Sequence, residues 1–177
     1  MPITTESPDR PTGIDPTIVL DRPDVRDGPS CRRLAQATGS LDVNSSYAYL
    51  LWCREFAATS VVARRDGAVA GFLTGFRRPD EPRTLFVWQV AVDAAERGKG
   101  VAAAMLDGLV GRLPDVDHVE ASVTPGNTAS QALFAGFADH RGARLTRTDL
   151  FGTDLLGPDH PPEILLRIGP IDRPPGR

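Results

Sequence analysis

Six consecutive residues, Arg97-Gly98-Lys99-Gly100-Val101-Ala102, have the composition of a turn that holds an anion. If a helix starts here, its first N–H groups lack intrahelical partners and carry the positive end of the helix dipole. The glycines let a phosphate or pyrophosphate approach those N–H groups with no Cβ in the way, and Arg97 and Lys99 add charge. A glycine pair ahead of a helix also serves plain turns. The spacing is neither GxxxxGK(S/T) nor GxGxxG in a first βα unit, so it indicates neither a P-loop nor a dinucleotide fold. It does match Q/R-x-x-G-x-G/A, through Arg97, Gly100 and Ala102.

Two elements must position this turn. Ahead of it runs Leu85-Phe86-Val87-Trp88-Gln89-Val90-Ala91-Val92, a continuous apolar stretch rich in β-branched and aromatic residues, which reads as a buried strand. Behind it Ala102, Leu106, Leu109 and Leu113 recur at helical spacing. The rest of the chain supplies a short strand at 17–20 and a helix over 26–38 with Leu34 and Ala35 inward, stopped by Gly39. A second helix runs to about Ala58, and Asp42, Asn44 or Ser45 can each cap it, which alone would account for all three. Strands at 60–65 and 68–76 flank Asp66-Gly67, a pair suited to a tight hairpin turn. After the central strand and helix come a strand at 117–123 and a helix from Thr128 to about Phe137, capped by Asn127, with Ala132, Leu133 and Phe137 on one side. Strands at 141–150 and 163–168 follow, separated by a Gly/Pro/Asp loop. The order β-α-α-β-β-β-α-β-α-β-β places the chain in the α/β class.

The chain has 177 residues, enough for one domain with a substantial core. Residues 1–16 and 170–177 are rich in Pro and polar residues and read as disordered tails around a domain at 17–169. A net charge of −3 with both signs interspersed argues against nucleic acid as a partner. Cys31 and Cys53 fall inside helices, and there is no CxxC or Cys/His cluster, so no metal is expected. No apolar run reaches the roughly 18 residues of a membrane span, and a cytoplasmic protein is expected.

With its long strand, glycine turn and helix in this order, the chain resembles the GNAT superfamily of N-acetyltransferases. More narrowly, LFVWQVAV at 85–92 and LDVNSSY at 41–47 resemble the L-2,4-diaminobutyrate acetyltransferases of ectoine biosynthesis. The resemblance covers residues 17–169 and implies a mixed, mostly antiparallel sheet flanked by helices, with a splayed central strand. It implies that acetyl-coenzyme A binds with its pyrophosphate on Arg97, Gly98, Lys99, Gly100, Val101 and Ala102, its pantetheine arm on Val90 and Val92, and a further contact at Asn127 and Ser130. Many superfamily members carry a tyrosine general acid where this chain has Phe134.

The narrower resemblance implies L-2,4-diaminobutyrate as acceptor and a homodimer. An alkyl ammonium has a pKa near 10, so the site must remove a proton. Asp42, Asn44, Tyr47, His160 and Glu163 match the family's pocket segments, with His160 and Glu163 as candidates for moving that proton. Trp88 would wall the pocket against the substrate's methylenes, although a core tryptophan and a surface histidine are the plain alternatives for Trp88 and His160. Acetylation of a peptide amine and acyl-coenzyme A binding without catalysis are the competing functions.

Overall fold

A computed structural model describes residues 14–171 of the chain. Strands β1 (Ile18–Asp21), β2 (Val61–Arg65), β3 (Ala68–Arg77), β4 (Thr84–Val92), β5 (His118–Val123), β6 (Leu145–Phe151) and β7 (Glu163–Ile168) form one sheet in the order β1-β2-β3-β4-β5-β7-β6. Every neighbouring pair is antiparallel except β4 with β5. Helices α1 (Gly28–Thr38) and α2 (Ser46–Glu55) pack through Cys31, Leu34, Tyr49 and Cys53 onto Val62, Phe72 and Ala91. Helices α3 (Val101–Gly111) and α4 (Thr128–His140) bury Met105, Leu106, Leu109, Phe134 and Phe137 against Leu73, Leu85, Val87 and Leu166. A short helix, α5 (Thr153–Leu156), interrupts the loop between β6 and β7.

Local chemistry explains the boundaries. Asp66 and Gly67 both take positive φ, 50° and 81°, as a two-residue hairpin turn with matching twist requires. Of the three candidate caps for α2, Ser45 serves: its Oγ accepts the N–H of Ala48 at 3.2 Å. Gly39 ends α1 at φ 66°. Three expectations shift. In α3 the buried face carries Val101 and Met105, with Ala102 half-buried. In α4 it carries Phe134, Phe137 and Ala138, leaving Ala132 exposed. The last α4 turn runs on to His140 and reverses at Gly142, φ 59°, so β6 starts at Leu145 rather than Arg141. The fold also reaches past both expected limits: Asp15 pairs with Arg65 at 3.0 Å, and Ile171, 4% exposed, donates its N–H to Asp117 O at 2.8 Å. Residues 1–13 and 172–177 of the expected tails lie outside the described residues.

The middle of the sheet is irregular in two ways that matter for the site. Parallel pairing of β4 with β5 runs from Thr84↔His118 to Val87↔Ala121 and stops. Beyond that point β4 continues along β3 as far as Val92↔Gly71, while Ser122 and Val123 continue with β7. The two strands therefore part, and Trp88–Val92 has a free edge. At the same level β4 bulges against β3: Gln89 lies opposite Thr74 and Val87 opposite Gly75, leaving Trp88 as the extra residue. Gly75 is required here, because a Cβ would stand 2.9 Å from Phe86 O and 3.0 Å from Thr59 O. Without the bulge, neighbouring residues would point to opposite faces; with it, both Trp88 and Gln89 turn toward α2, where they meet Trp52 and Tyr49.

Candidate active site

The free edge of β4 presents two residues to the gap. Asp93 N–H bonds Ala70 O on β3 at 2.8 Å, and backbone groups alternate sides along a strand, so those of Val90 and Val92 face away from β3. The Val92 carbonyl accepts from Arg97 Nε at 3.1 Å, which ties the end of the strand to the glycine turn. Gly98 and Gly100 are left-handed, φ 75° and 77°, and a Cβ on either would meet no atom within 4 Å, so the turn's outer surface is open. Gly100 caps α3 with no side chain, whereas Ser45 and Asn127 cap α2 and α4. The first N–H groups of α3 thus have no side-chain cap. Beneath the turn Glu96, 6% exposed, accepts from Arg65 at 2.6 and 2.8 Å and from Lys99 Nζ at 3.4 Å. Arg65 first, then Lys99, holds the Glu96 carboxyl below its ordinary range. The loop is anchored from inside while its backbone faces out. Asn127 Oδ1 is occupied by Ser130 N–H at 3.1 Å.

A cleft opens beside the bulge between α2 and the sheet. Asn44, Ala48, Tyr49 and Trp52 line one wall, and Thr74, Trp88 and Gln89 the other. Trp88, 39% exposed, packs against Trp52 with ring centroids 4.1 Å apart and planes tilted by 55°, and Phe56 extends the aromatic wall at 4.6 Å from Trp52. Inside, the Tyr49 hydroxyl donates to Gln89 Oε1 at 3.0 Å, and Gln89 Nε2 donates to the main-chain carbonyl of Asp42 at 2.8 Å.

Charged groups gather around Asp42. Its Oδ2 lies 3.1 Å from His160 Nε2, and His160 Nδ1 lies 2.6 Å from the Pro161 carbonyl. A carbonyl only accepts, so Nδ1 carries a proton, and protonation of Nε2 as well lets the imidazolium donate to Asp42. The Pro161 carbonyl, then Asp42, raises the His160 pKa accordingly. Glu163 moves up as well, because burial disfavours its charge; His160 and a Ser122 hydrogen bond oppose that shift. A carboxyl poised above its usual range can accept a proton near neutrality more readily than a well-solvated one.

A family profile described as "Acetyltransferase (GNAT) family" matches residues 30–137. The chain belongs to the GNAT acetyltransferase family. It is 54% identical over 158 residues to the L-2,4-diaminobutyric acid acetyltransferase of Streptomyces avermitilis, covering 86% of this chain and 88% of that one. The enzyme of the same name from Streptomyces coelicolor is 51% identical, with 90% and 97% covered. Among solved structures, the diaminobutyrate acetyltransferase EctA from Paenibacillus lautus, in complex with its substrate L-2,4-diaminobutyric acid and coenzyme A, superposes with a TM-score of 0.84 at 40% identity, covering 93% of this chain and all of that one. The NatC complex bound to Gag peptide and coenzyme A, at 17% identity and a TM-score of 0.69, shares the fold alone. At these identities the chain stands with the diaminobutyrate acetyltransferases.

Within this acetyltransferase, the turn at 97–102 and the free edge at Val90 and Val92 lie in succession along one path, and Asp42, His160 and Glu163 come together although they are far apart in sequence. Asn44 and Trp88 line the cleft. Tyr47 does not: it is 71% exposed on α2, and Tyr49, two residues on and 3% exposed, takes the inner position. Tyr49, Trp52 and Gln89 line the cleft although the sequence did not single them out. The one available signal was helical phase, since Tyr49 and Trp52 fall three apart on the face that packs on the sheet. Phe134, 2% exposed, belongs to the core. Among the described residues no group of three or more His, Cys, Asp or Glu side chains could hold a metal ion, and no helix is long and apolar enough to cross a membrane.

Proposed function

We propose that this chain transfers acetyl from acetyl-coenzyme A to the 4-amino group of L-2,4-diaminobutyrate, by direct attack in a ternary complex, making the precursor of ectoine. The observation that carries the reading is the match along nearly the whole chain to an enzyme whose structure holds both diaminobutyrate and coenzyme A. The geometry supports it. Gly98, Lys99, Gly100, Val101 and Ala102 offer backbone N–H groups to a pyrophosphate, with Arg97 and Lys99 beside them; Asn127 and Ser130 extend that side. The backbone of Val90 and Val92 is free to pair with an amide-bearing arm, and an N–H at the same edge suits the oxyanion of a thioester under attack.

On the acceptor side, Asp42 and Glu163 suit the substrate's two ammonium groups, Asn44 its polar end, and the Trp88 ring its methylenes. The indole N–H of Trp52 is buried without a partner among the described residues, and it complements a carboxylate oxygen. Glu163 takes the ammonium proton, while His160, held by the Pro161 carbonyl, keeps Asp42 in place. A thiolate whose acid has a pKa of about 8.5 leaves without a general acid, consistent with Phe134 in the tyrosine position. Cys31 and Cys53, 1% and 3% exposed, support direct transfer, since neither is accessible as a nucleophile. The enzyme acts in the cytoplasm as a homodimer; the exposed Tyr47, Leu50 and Leu51 on the outer face of α2 suit a second copy.

The test is thiol release from acetyl-coenzyme A with diaminobutyrate, lysine, ornithine and a lysine-bearing peptide offered separately to wild type, Asp42→Ala and Glu163→Ala. Strong preference for diaminobutyrate, lost in both variants with cofactor binding intact, is expected. Turnover confined to the peptide, or absent with every amine, would overturn the reading.

A further inference from the structure

The hydrogen bonds inside the acceptor cleft run in one direction. The main-chain carbonyl of Asp42 can only accept, so the carboxamide atom of Gln89 that lies 2.8 Å from it is Nε2, which donates. The other end of that carboxamide, Oε1, can only accept, so the Tyr49 hydroxyl 3.0 Å away donates to it. The single phenolic proton is therefore committed, and the Tyr49 oxygen offers lone pairs alone to anything else it meets. Both residues are nearly buried, at 3% and 6% exposed, and both line the cleft. The polarity is held from behind: the bulge at Trp88 turns Gln89 toward α2, and an edge-to-face contact with Phe72, ring centroids 6.3 Å apart, fixes the Tyr49 ring.

A low-dielectric acceptor with no proton to give welcomes an N–H of a cation and rejects a carboxylate oxygen. We infer that Tyr49 is a specificity-determining contact for the acceptor substrate, its oxygen accepting from an amino group, and that Gln89 is a positioning residue that keeps the Tyr49 proton turned away. The inference rests on the amine-acetylating reading above. It also sets a role aside: Tyr49, the buried tyrosine of the cleft, is an acceptor and does not replace the missing general acid at Phe134.

The experiment uses the full chain. Tyr49→Phe keeps the ring and its contact with Phe72 while deleting the oxygen; Gln89→Leu keeps the hydroxyl but frees its proton. KM and kcat for diaminobutyrate, the Kd for coenzyme A and the thermal midpoint are measured for each, along with inhibition by 2-aminobutyrate, 4-aminobutyrate and butyrate. For both variants kcat/KM should fall about tenfold or more, mostly through KM, as for a lost hydrogen bond to a charged group. Coenzyme A affinity should stay within about twofold. Inhibition by at least one of the two amino acids should weaken while that by butyrate does not. If wild type does not acetylate diaminobutyrate, the proposed function fails. If wild type turns over and Tyr49→Phe leaves kcat/KM unchanged, or weakens butyrate and the amino acids alike, this inference fails while the function stands. Should Tyr49→Phe lose its fold, Gln89→Leu decides by the same readouts.

Discussion

Asp42 and His160, 118 positions apart, meet with Oδ2 and Nε2 separated by 3.1 Å, and the other face of the imidazole is closed by the Pro161 carbonyl at 2.6 Å. The contact carries the loop before α2 onto the loop before β7, so that groups drawn from both ends of the chain share one electrostatic environment with Glu163.

Loss of Asp42 should therefore be visible at His160. Its folded pKa is raised above 6.5 by the Pro161 carbonyl and Asp42. The stabilisation from this pairing is fully present below the unfolded value and is lost as pH rises through the raised one. An NMR titration of the His160 ring should give a lower pKa in Asp42→Asn than in wild type; an unchanged value would mean that the pair does not persist in solution.

We expect Glu163 to set the acid limb of activity. Burial raises its carboxyl above 4.5, so kcat/KM should fall as pH drops through that raised value. The same shift removes stability as pH rises from the ordinary value through the raised one, because the folded state holds the proton longer. Glu163→Gln should abolish the limb and lower kcat by about 10²- to 10⁴-fold. A pH profile retained in that variant would assign the proton transfer elsewhere.

Gly100 should matter to the cofactor more than to the fold. An alanine at φ 77° costs about 1–2 kcal/mol of backbone strain and meets no neighbour. It does put a Cβ where a pyrophosphate would approach the α3 N–H groups. Calorimetry should show coenzyme A bound about tenfold or more weakly by Gly100→Ala, as for one or two lost charge-assisted hydrogen bonds. Unchanged binding would remove the pyrophosphate from this turn.

Capping and cofactor contact can be separated at Asn127. Asn127→Ala should cost about 1 kcal/mol of stability through the lost cap, while Asn127→Asp keeps the acceptor for Ser130 N–H and stays within about 0.5 kcal/mol. Coenzyme A should nevertheless bind less well to the aspartate variant, whose charge opposes a phosphate. Equal affinities in urea-matched samples would leave Asn127 with capping alone.

Most of the architecture could be read from local patterns, because hairpin, cap and helix signals depend on residues close in sequence: Asp66-Gly67, Gly39, Ser45 and Asn127 all do what their types suggest. The glycine turn before α3 was legible for the same reason, since the left-handed angles at Gly98 and Gly100 are a local demand. The bulge at Trp88 was not. LFVWQVAV is apolar throughout, so it has no alternation from which a face swap could be seen, and Gln89 passed as one polar residue in a strand. In the Tyr47-Ala48-Tyr49 triplet either ring is compatible with the composition, and only the phase of α2 against the sheet decides which is inside. Asp42, His160 and Glu163 came from resemblance; no spacing in the chain brings them together.

The parting of β4 from β5 should leave a signature in amide hydrogen exchange. Along Gln89–Val92 protection ought to alternate, with Gln89 and Ala91 slow through their bonds to β3 and Val90 and Val92 fast where they face the opening. A ligand that completes this edge would then act as a missing strand, and its arrival would be read as slowing at every second amide, with no change of fold.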